Sequence, residues 1–272
     1  MIRAADRRWN SPTTLYIARR LAQIAQGRRI AVLDMGCGDG ATLEHLLDYG
    51  YELYGYDLAP AAAAARLASH FGAAPADRIR AAEDDRTIPF PSGFFDVVYA
   101  NQVFEHVKFL DAMLGECARV LKSDGTLLAN FPLATYPIEW HLKVPFAHWV
   151  PPGTVRVAYL WPIYALGLRP KLPGASARAT ALSQDVFLRE RTFYRFVNEV
   201  LAVAGHYFGA CEIETGHFIA AKRDLLAVSR RRTSRWLAAL LRRAEGATMD
   251  YLVTYGFNAA FCMKHPRPRA GS

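Results

Sequence analysis

Ala31-Val32-Leu33-Asp34-Met35-Gly36-Cys37-Gly38-Asp39-Gly40 is the stretch whose reading decides the fold. An apolar run reaches an acidic residue and then breaks into glycines at alternate positions. A helical pattern resumes with Thr42, Leu43, Glu44, His45, Leu46 and Leu47. Strand, tight turn and helix in that order mark the place where an open α/β sheet takes a nucleotide-like ligand. Without Cβ atoms the turn adopts positive φ and its backbone comes close to what it binds. The turn alone does not say which ligand.

On the N-terminal side, Ser11-Pro12 reads as an N-cap followed by proline at the first helical position. Leu15, Ala18, Leu21, Ala22 and Ala25 then recur on one face as far as Gly27, so a helix precedes the first strand, Ile30 to Met35. On the other side, the helix after the turn ends at Gly50, and a second strand from Tyr51 ends on Asp57. Pro60 to Phe71 is an alanine-rich helix. A short strand from Arg78 to Ala82 leads into Glu83-Asp84-Asp85, and Phe94 to Ala100 forms a fourth strand. Val107 to Leu121 is helical, and Gly125 opens a fifth strand, Thr126 to Phe131. This alternation argues a parallel sheet with helices on both faces.

At Pro132 the texture changes. As far as Gly174 the chain is dense in proline and aromatics without a clean period, including Trp140-His141, His148-Trp149 and Trp161-Pro162. Such a stretch is too long and too apolar for an ordinary loop and reads as an inserted lid. A helical pattern returns from Arg191 to Ala204, followed by a strand, Phe208 to Thr215, a basic helical segment, Ala221 to Ala244, and a last strand, Tyr251 to Met263.

The composition, 52% apolar and 21% charged over 272 residues, is globular rather than disordered. Cys37, Cys117, Cys211 and Cys262 form no C-x-x-C pair or His/Cys cluster, so reduced thiols and no metal site of zinc-ligand spacing are expected. The N-terminus has no apolar signal region, and the longest apolar stretch, Val157 to Leu168, is too short to span a bilayer and holds Pro162. A cytoplasmic protein is the expectation. The net charge of +8 is a local feature, concentrated in arginines between Lys222 and Arg243.

The motifs then point one way. The turn is D-x-G-x-G-x-G, and downstream stand Phe95-Asp96-Val97-Val98, Glu105-His106-Val107 and Glu116-Cys117-Ala118-Arg119-Val120-Leu121-Lys122-Ser123-Asp124-Gly125. Together they resemble the class I S-adenosylmethionine (SAM)-dependent methyltransferases, in particular the small-molecule enzymes sharing the E-H-V signature. The resemblance covers Val32 to Phe131; Ser123-Asp124 stands where the family has proline-glycine. It implies a Rossmann-like seven-stranded α/β sheet, mostly parallel with an antiparallel last strand, and helices on both faces. One domain over 1–272 is expected: a core of 1–131 and 190–264, a lid of 132–189, and a basic helical insertion, 219–250, between the last two strands.

Carried over residue by residue, the resemblance implies that Gly36, Gly38 and Gly40 let the turn lie along SAM, with the next helix's amides near its methionine part. Asp34 would hold the methionine ammonium, and Asp57 the two ribose hydroxyls. Leu58 would stand beside the cofactor, Asp84 and Asp85 at the adenine edge, and Asn101 where cofactor and acceptor meet. Asp39 and Asp84 have a second reading as caps of helices or turns.

Methyl transfer from a sulfonium gains from in-line placement and exclusion of water, and an oxygen acceptor of high pKa also needs a base within reach. His106, His141 and His148 are the candidates, with Glu105 and Glu139 beside them. A packed, hydrogen-bonded role is the alternative for each histidine, and for His106 an orienting role in the loop after strand four. The acceptor is read as a small-molecule, glycan or lipid-linked oxygen. A non-catalytic SAM-binding module is the alternative from a different class. Glycine spacing and the lack of a Tyr-x-x-x-Lys pair near strand four argue against an NAD-dependent oxidoreductase. In the basic segment, Leu225, Leu226, Val228, Trp236, Leu237, Leu240 and Leu241 alternate with arginines. This suits either peripheral contact with an anionic membrane through 221–244 or packing on the sheet with a solvated arginine face. No RNA-binding module accompanies the charge.

Overall fold

The alternation of short apolar runs with amphipathic segments resolves into one sheet and its flanking helices. The computed structural model describes residues 11–71, 75–84, 86–227 and 258–267. The first half comprises α1 (Pro12–Ala25), β1 (Ala31–Met35), α2 (Ala41–Leu46) with a 3-10 turn over Leu47–Tyr49, β2 (Glu52–Asp57), α3 (Ala61–Phe71), α4 (Pro75–Arg78), β3 (Ile79–Ala81), β4 (Phe95–Asn101), α5 (Leu110–Val120) and β5 (Leu121–Pro132). The lid contributes β6 (Ile138–Glu139), β7 (Val144–Pro145), α6 (Thr154–Ala165) and α7 (Ala177–Arg191). The chain closes with α8 (Val197–Tyr207), β8 (Phe208–Ile213), α9 (Thr215–Ala227) and β9 (Asn258–Pro266).

Seven strands form the sheet in the order β3-β2-β1-β4-β5-β9-β8. All neighbours among the first five are parallel, and β9 runs antiparallel to both β5 and β8. This is the mostly parallel sheet with an antiparallel last strand that the resemblance implies.

Successive strand residues point to opposite faces, and both faces are covered. Leu33, Val98, Ala100, Leu127, Ala129, Phe261 and Met263 pack under α5 and α8. Their neighbours Val32, Val97, Tyr99, Leu128, Ala260 and Cys262 pack on the other face, under α1, α2, α3 and α9. That is why these strands read as continuous apolar runs instead of alternating ones.

Several expected boundaries move. Ser11 stands at the N-cap position in extended conformation, but its Oγ pairs with Thr13 Oγ1 at 2.7 Å and caps no amide. Helix α5 begins at Leu110, not Val107, because Arg195 binds the carbonyls of Phe104, Val107 and Lys108 and holds that stretch out of the helix. Strand β5 starts earlier than expected, at Leu121, and pairs with β4 through a register shift between Phe95 and Val97.

The lid has its own core, with Leu142, Val144, Ala147, Leu160, Tyr164, Ala181 and Leu188 buried together. Asp185 on α7 accepts from Gly153 N at 3.0 Å and pairs with buried Arg156 on α6 at 3.4 Å, joining the two helices. Behind α7, Phe193 N donates to Glu105 O at 2.6 Å and Ala134 N to Arg195 O at 2.9 Å. These bonds tie the returning end of the lid to the E-H-V loop. Of the expected basic segment, Ala221 to Ala227 belong to α9, which packs on the sheet through Phe218 and Ala221. Residues 228–257, and with them the rest of that segment and the start of the expected last strand, lie outside the described residues.

Candidate active site

The sheet order reverses beside β1, whose neighbours β2 and β4 lead away in opposite directions. Open α/β sheets leave a crevice there, outside the carboxyl ends of the strands. Here the glycine turn builds its floor. Gly36 N and Cys37 N donate to Tyr56 O at 2.9 and 3.1 Å, and Gly38 N donates to Asp57 Oδ2 at 2.9 Å. The other Asp57 oxygen accepts from Ala59 N at 3.1 Å. Thus one carboxylate at the end of β2 braces two loops. Gly36 has φ of 73°, and a Cβ there would lie 2.6 Å from Val103 Cγ2, so no other residue fits without displacement. Asp39 serves the turn: it accepts from Ala41 N at 3.1 Å and binds Arg66.

A cavity of about 730 Å³ occupies the crevice. Met35, Gly36, Tyr56, Asp57 and Leu58 line one side, and Ala82 and Asp84 another. Gln102, Val103, His106 and Lys108 line the part below β4, and Phe187, Glu190, Arg191 and Phe193 reach over from the lid. Leu58 is 66% exposed, a large apolar side chain left open at the cavity wall. Asp84 Oδ1 accepts from the amides of Arg86 and Thr87, both at 2.8 Å, and these bonds hold its carboxyl below the usual range. It therefore caps a turn while lining the cavity. Asp85 lies outside the described residues. Asn101 ends β4 beside Asn130 and does not line the cavity. The next residue does: Gln102, at φ of 59°, donates Nε2 to Asn130 Oδ1 at 3.0 Å. A left-handed non-glycine residue carries no sequence signal.

Asp34 is buried beneath the turn, and burial pushes its carboxyl up to about 8; the Tyr99 hydroxyl opposes the shift and the Asp57 charge adds to it. Unfolded, the group titrates near the ordinary 3.8. Below that pH it is protonated in both states. Between about 4 and 8 the unfolded chain has released the proton and the folded chain still holds it, so stability falls as pH rises through this window. Thermal melts from pH 5 to 9 should show this decline, and Asp34→Asn should flatten it. An equal slope in the variant refutes the assignment.

The three histidines part company. His106 Nδ1 lies 2.6 Å from Arg191 O, and a carbonyl only accepts, so this nitrogen carries the proton and Nε2 presents a lone pair. His141, in the turn between β6 and β7, places its Nε2 at 3.2 Å from His106 Nε2 and its Nδ1 at 2.8 Å from Glu139 Oε1. Both of its nitrogens therefore face acceptors. Burial alone would lower the His141 pKa, but the hydrogen bond and charge of Glu139 outweigh it and hold it above the ordinary value. His106, by contrast, is lowered, chiefly by burial. Glu139 is fully buried and also accepts from Tyr194 Oη and Leu142 N, both at 2.6 Å. His148 instead lines a second cavity of about 650 Å³ with Trp149, Arg156 and Tyr194, its Nε2 3.2 Å from Ala134 O. The structure brings His106 and His141 together and sets His148 apart. Sequence reading missed Gln102, Lys108, Tyr194 and the α7 residues over the cavity; Ser176, whose Oγ caps Ala179 N, was the one local sign of that helix.

Sheet order, glycine turn and acidic end of β2 are arranged as the resemblance to class I SAM-dependent methyltransferases implies, and SAM is the cofactor that resemblance leads one to test. The Cβ-free approach at Gly36 and the carboxylate at Asp57 fit that group, and the cavity volume lies in the usual range for cofactor sites. Residues 33–129 match the family model described as a methyltransferase domain. A ubiquinone biosynthesis O-methyltransferase of Bradyrhizobium sp. (strain ORS 278) is 33% identical over 136 residues, 46% of this chain and 50% of that relative. A sterol 4-C-methyltransferase of Caenorhabditis elegans is 33% identical over 97 residues, 35% of this chain and 29% of its own length. The chain thus spans about half the length, or less, of these curated relatives. Among solved structures, phosphoethanolamine N-methyltransferase 2 of Haemonchus contortus aligns at a TM-score of 0.48 and 17% identity, covering 92% of this chain and 52% of that one.

Proposed function

We propose that the protein transfers a methyl group from SAM to an oxygen of a small-molecule, glycan or lipid-linked acceptor. The observation that carries this reading is one cavity with the glycine turn and Asp57 at one end and an unprotonated imidazole nitrogen, His106 Nε2, at the other. The name of the ubiquinone biosynthesis relatives supports the oxygen direction.

When bound, SAM supplies an electrophilic methyl group on a sulfonium. Asp57 would accept from the ribose hydroxyls, and Asp34, buried beneath the turn, would hold the methionine ammonium. Leu58 and Asp84, which line the same cavity, would meet the adenine. Phe187 and Phe193 would exclude water from the acceptor end, and His106 Nε2, once released from its contact with His141 Nε2, would take the acceptor's hydroxyl proton. Glu139, through His141, orients His106. Release of S-adenosylhomocysteine against a panel of hydroxylated acceptors tests the reading. SAM binding without release on any acceptor favours a non-catalytic SAM-binding module.

A specific observation favours acceptors presented at a lipid surface. Trp140, Trp149 and Trp161 are 53%, 49% and 52% exposed, and all three stand on the lid with Phe146, Leu166 and Leu168. Lys143, Arg169 and Lys171 lie in the same segment. Half-exposed tryptophans among cations suit an anionic membrane interface. No helix among the described residues is long and apolar enough to cross a membrane. The protein should pellet with liposomes containing anionic lipid at low salt, and replacing the three tryptophans with alanine should reduce pelleting at least about tenfold, given the apolar area withdrawn. Pelleting unchanged in that variant would rule out the lid as the contact.

A further inference from the structure

The E-H-V loop and the lid turn bring together a carboxylate and two imidazoles whose histidines stand 35 residues apart in the chain. One oxygen of Glu105 and one ring nitrogen each of His106 and His141 all lie within 4.8 Å of one another. Glu105 is 1% exposed, and its buried Oε2 has no hydrogen-bond partner among the described residues. A buried carboxylate oxygen left unpaired is costly, and a cation removes the cost.

The two rings are held as metal-binding histidines are held. Their Nε2 atoms face each other at 3.2 Å, while each Nδ1 is fastened from behind, His106 to the Arg191 carbonyl and His141 to the Glu139 carboxylate. Such outer partners fix a ligating ring and raise its basicity. Two nitrogens about 2.1 Å from one ion are separated by roughly 3.0 Å at a right angle and roughly 3.4 Å at a tetrahedral angle. The observed spacing lies between these values. Glu139 is itself held by Tyr194 Oη and Leu142 N, so the outer layer is complete. A second cluster, Glu212, Glu214 and Cys262, lacks this character, because Arg20 and Lys264 already neutralise its carboxylates at 2.6 and 2.9 Å.

We propose that Glu105, His106 and His141 form a two-histidine, one-carboxylate site for a divalent transition-metal ion, with its open coordination positions on the cavity that His106 lines. The donor set suits Zn²⁺, Fe²⁺, Mn²⁺ or Co²⁺. As the ion binds, the proton between the two Nε2 atoms leaves to solvent, and both lone pairs turn to the metal. Resting on the methyl-transfer reading above, the ion would hold the acceptor oxygen and lower its pKa, releasing its proton to water in place of His106. The expectation of no metal site rested on local Cys/His spacing, which says nothing about ligands from two segments.

The test uses the full chain stripped with EDTA and titrated with Co²⁺, followed by visible absorption. One equivalent should bind and give d–d bands. E105Q and H141A should each weaken Co²⁺ binding at least about tenfold, and E139Q about 10- to 100-fold, as outer-layer changes do. SAM binding, kept in all three, would show that they fold. Absence of one-equivalent binding, or parental affinity in E105Q and H141A, overturns the site. Methylation of a hydroxylated acceptor that is the same with stripped and reloaded protein overturns the ion's part in transfer. One-equivalent Co²⁺ binding, lost in the variants, upholds the site even where no acceptor is methylated; that result would instead defeat the oxygen-transfer reading.

Discussion

Gly36→Val is expected to abolish SAM binding and to destabilise the protein. Gly36 sits at φ of 73°, in the left-handed region, and its built Cβ falls 2.6 Å from Val103 Cγ2. A β-branched residue in that conformation costs about 1–3 kcal/mol, and forcing apart packed groups costs about 1–3 kcal/mol more. Val103 cannot retreat freely, because it packs against the core beside the cavity and precedes the E-H-V loop that the lid holds. The strain would be relieved by moving the turn itself, which is the surface the cofactor lies along. Gly38→Val is the informative contrast. It shares a positive φ of 53°, but a Cβ there meets nothing within 4 Å, so only the conformational part of the cost applies. Calorimetric titration of SAM and thermal melts on both variants check this. Binding by Gly36→Val within about threefold of the parent, less than about 0.7 kcal/mol, would show that the turn does not hold the cofactor.

His106→Ala is expected to lower kcat about 10²- to 10⁴-fold while SAM affinity stays within a few-fold. That range is what a positioned proton acceptor contributes. The ring sits at the acceptor end of the cavity, away from Gly36 and Asp57, and its hydrogen bonds run to Arg191 O and His141, not to the glycine turn. The loss should therefore fall on transfer and not on cofactor binding. His148→Ala, in the second cavity, supplies the control that sequence could not choose, and its kcat should stay near the parent value. Single-turnover release of S-adenosylhomocysteine separates the steps. A His106→Ala enzyme with parental kcat would remove the imidazole from the chemistry, whether as base or as metal ligand.

Much of the sheet was legible because its signals are local. Strands β1 and β4 are short apolar runs, β1 stops at Gly36 and β2 at Asp57, and helices α1, α3 and α5 carry an ordinary amphipathic stripe. The glycine turn, Asp57 and the E-H-V loop stood out for the same reason. Helix α6 was not legible as a helix because Pro162 and its aromatics break the pattern, and α7 because Leu182 and Val186 stay in solvent and blur its apolar stripe.

By itself the sequence determined the class of fold, because one strand–turn–helix unit is enough to specify a cradle for a nucleotide-like ligand, while the expectation of SAM came from the resemblance carried by the ordered motifs downstream. What lies opposite that cradle was decided only in three dimensions. Trp140-His141 and His148-Trp149 are equivalent as sequence, each a histidine beside a tryptophan in the same insertion. The β6–β7 turn sends His141 to His106 and Glu139, whereas His148, beyond β7, packs on Tyr194 at a different cavity. Asn101 and Gln102 are likewise neighbours, yet a left-handed backbone at Gln102 puts that residue, and not Asn101, on the cavity wall. Contacts between residues 105–106, 139–141 and 191–194 have no period and no motif; they exist because the lid folds on a small core of its own and returns across the strand ends.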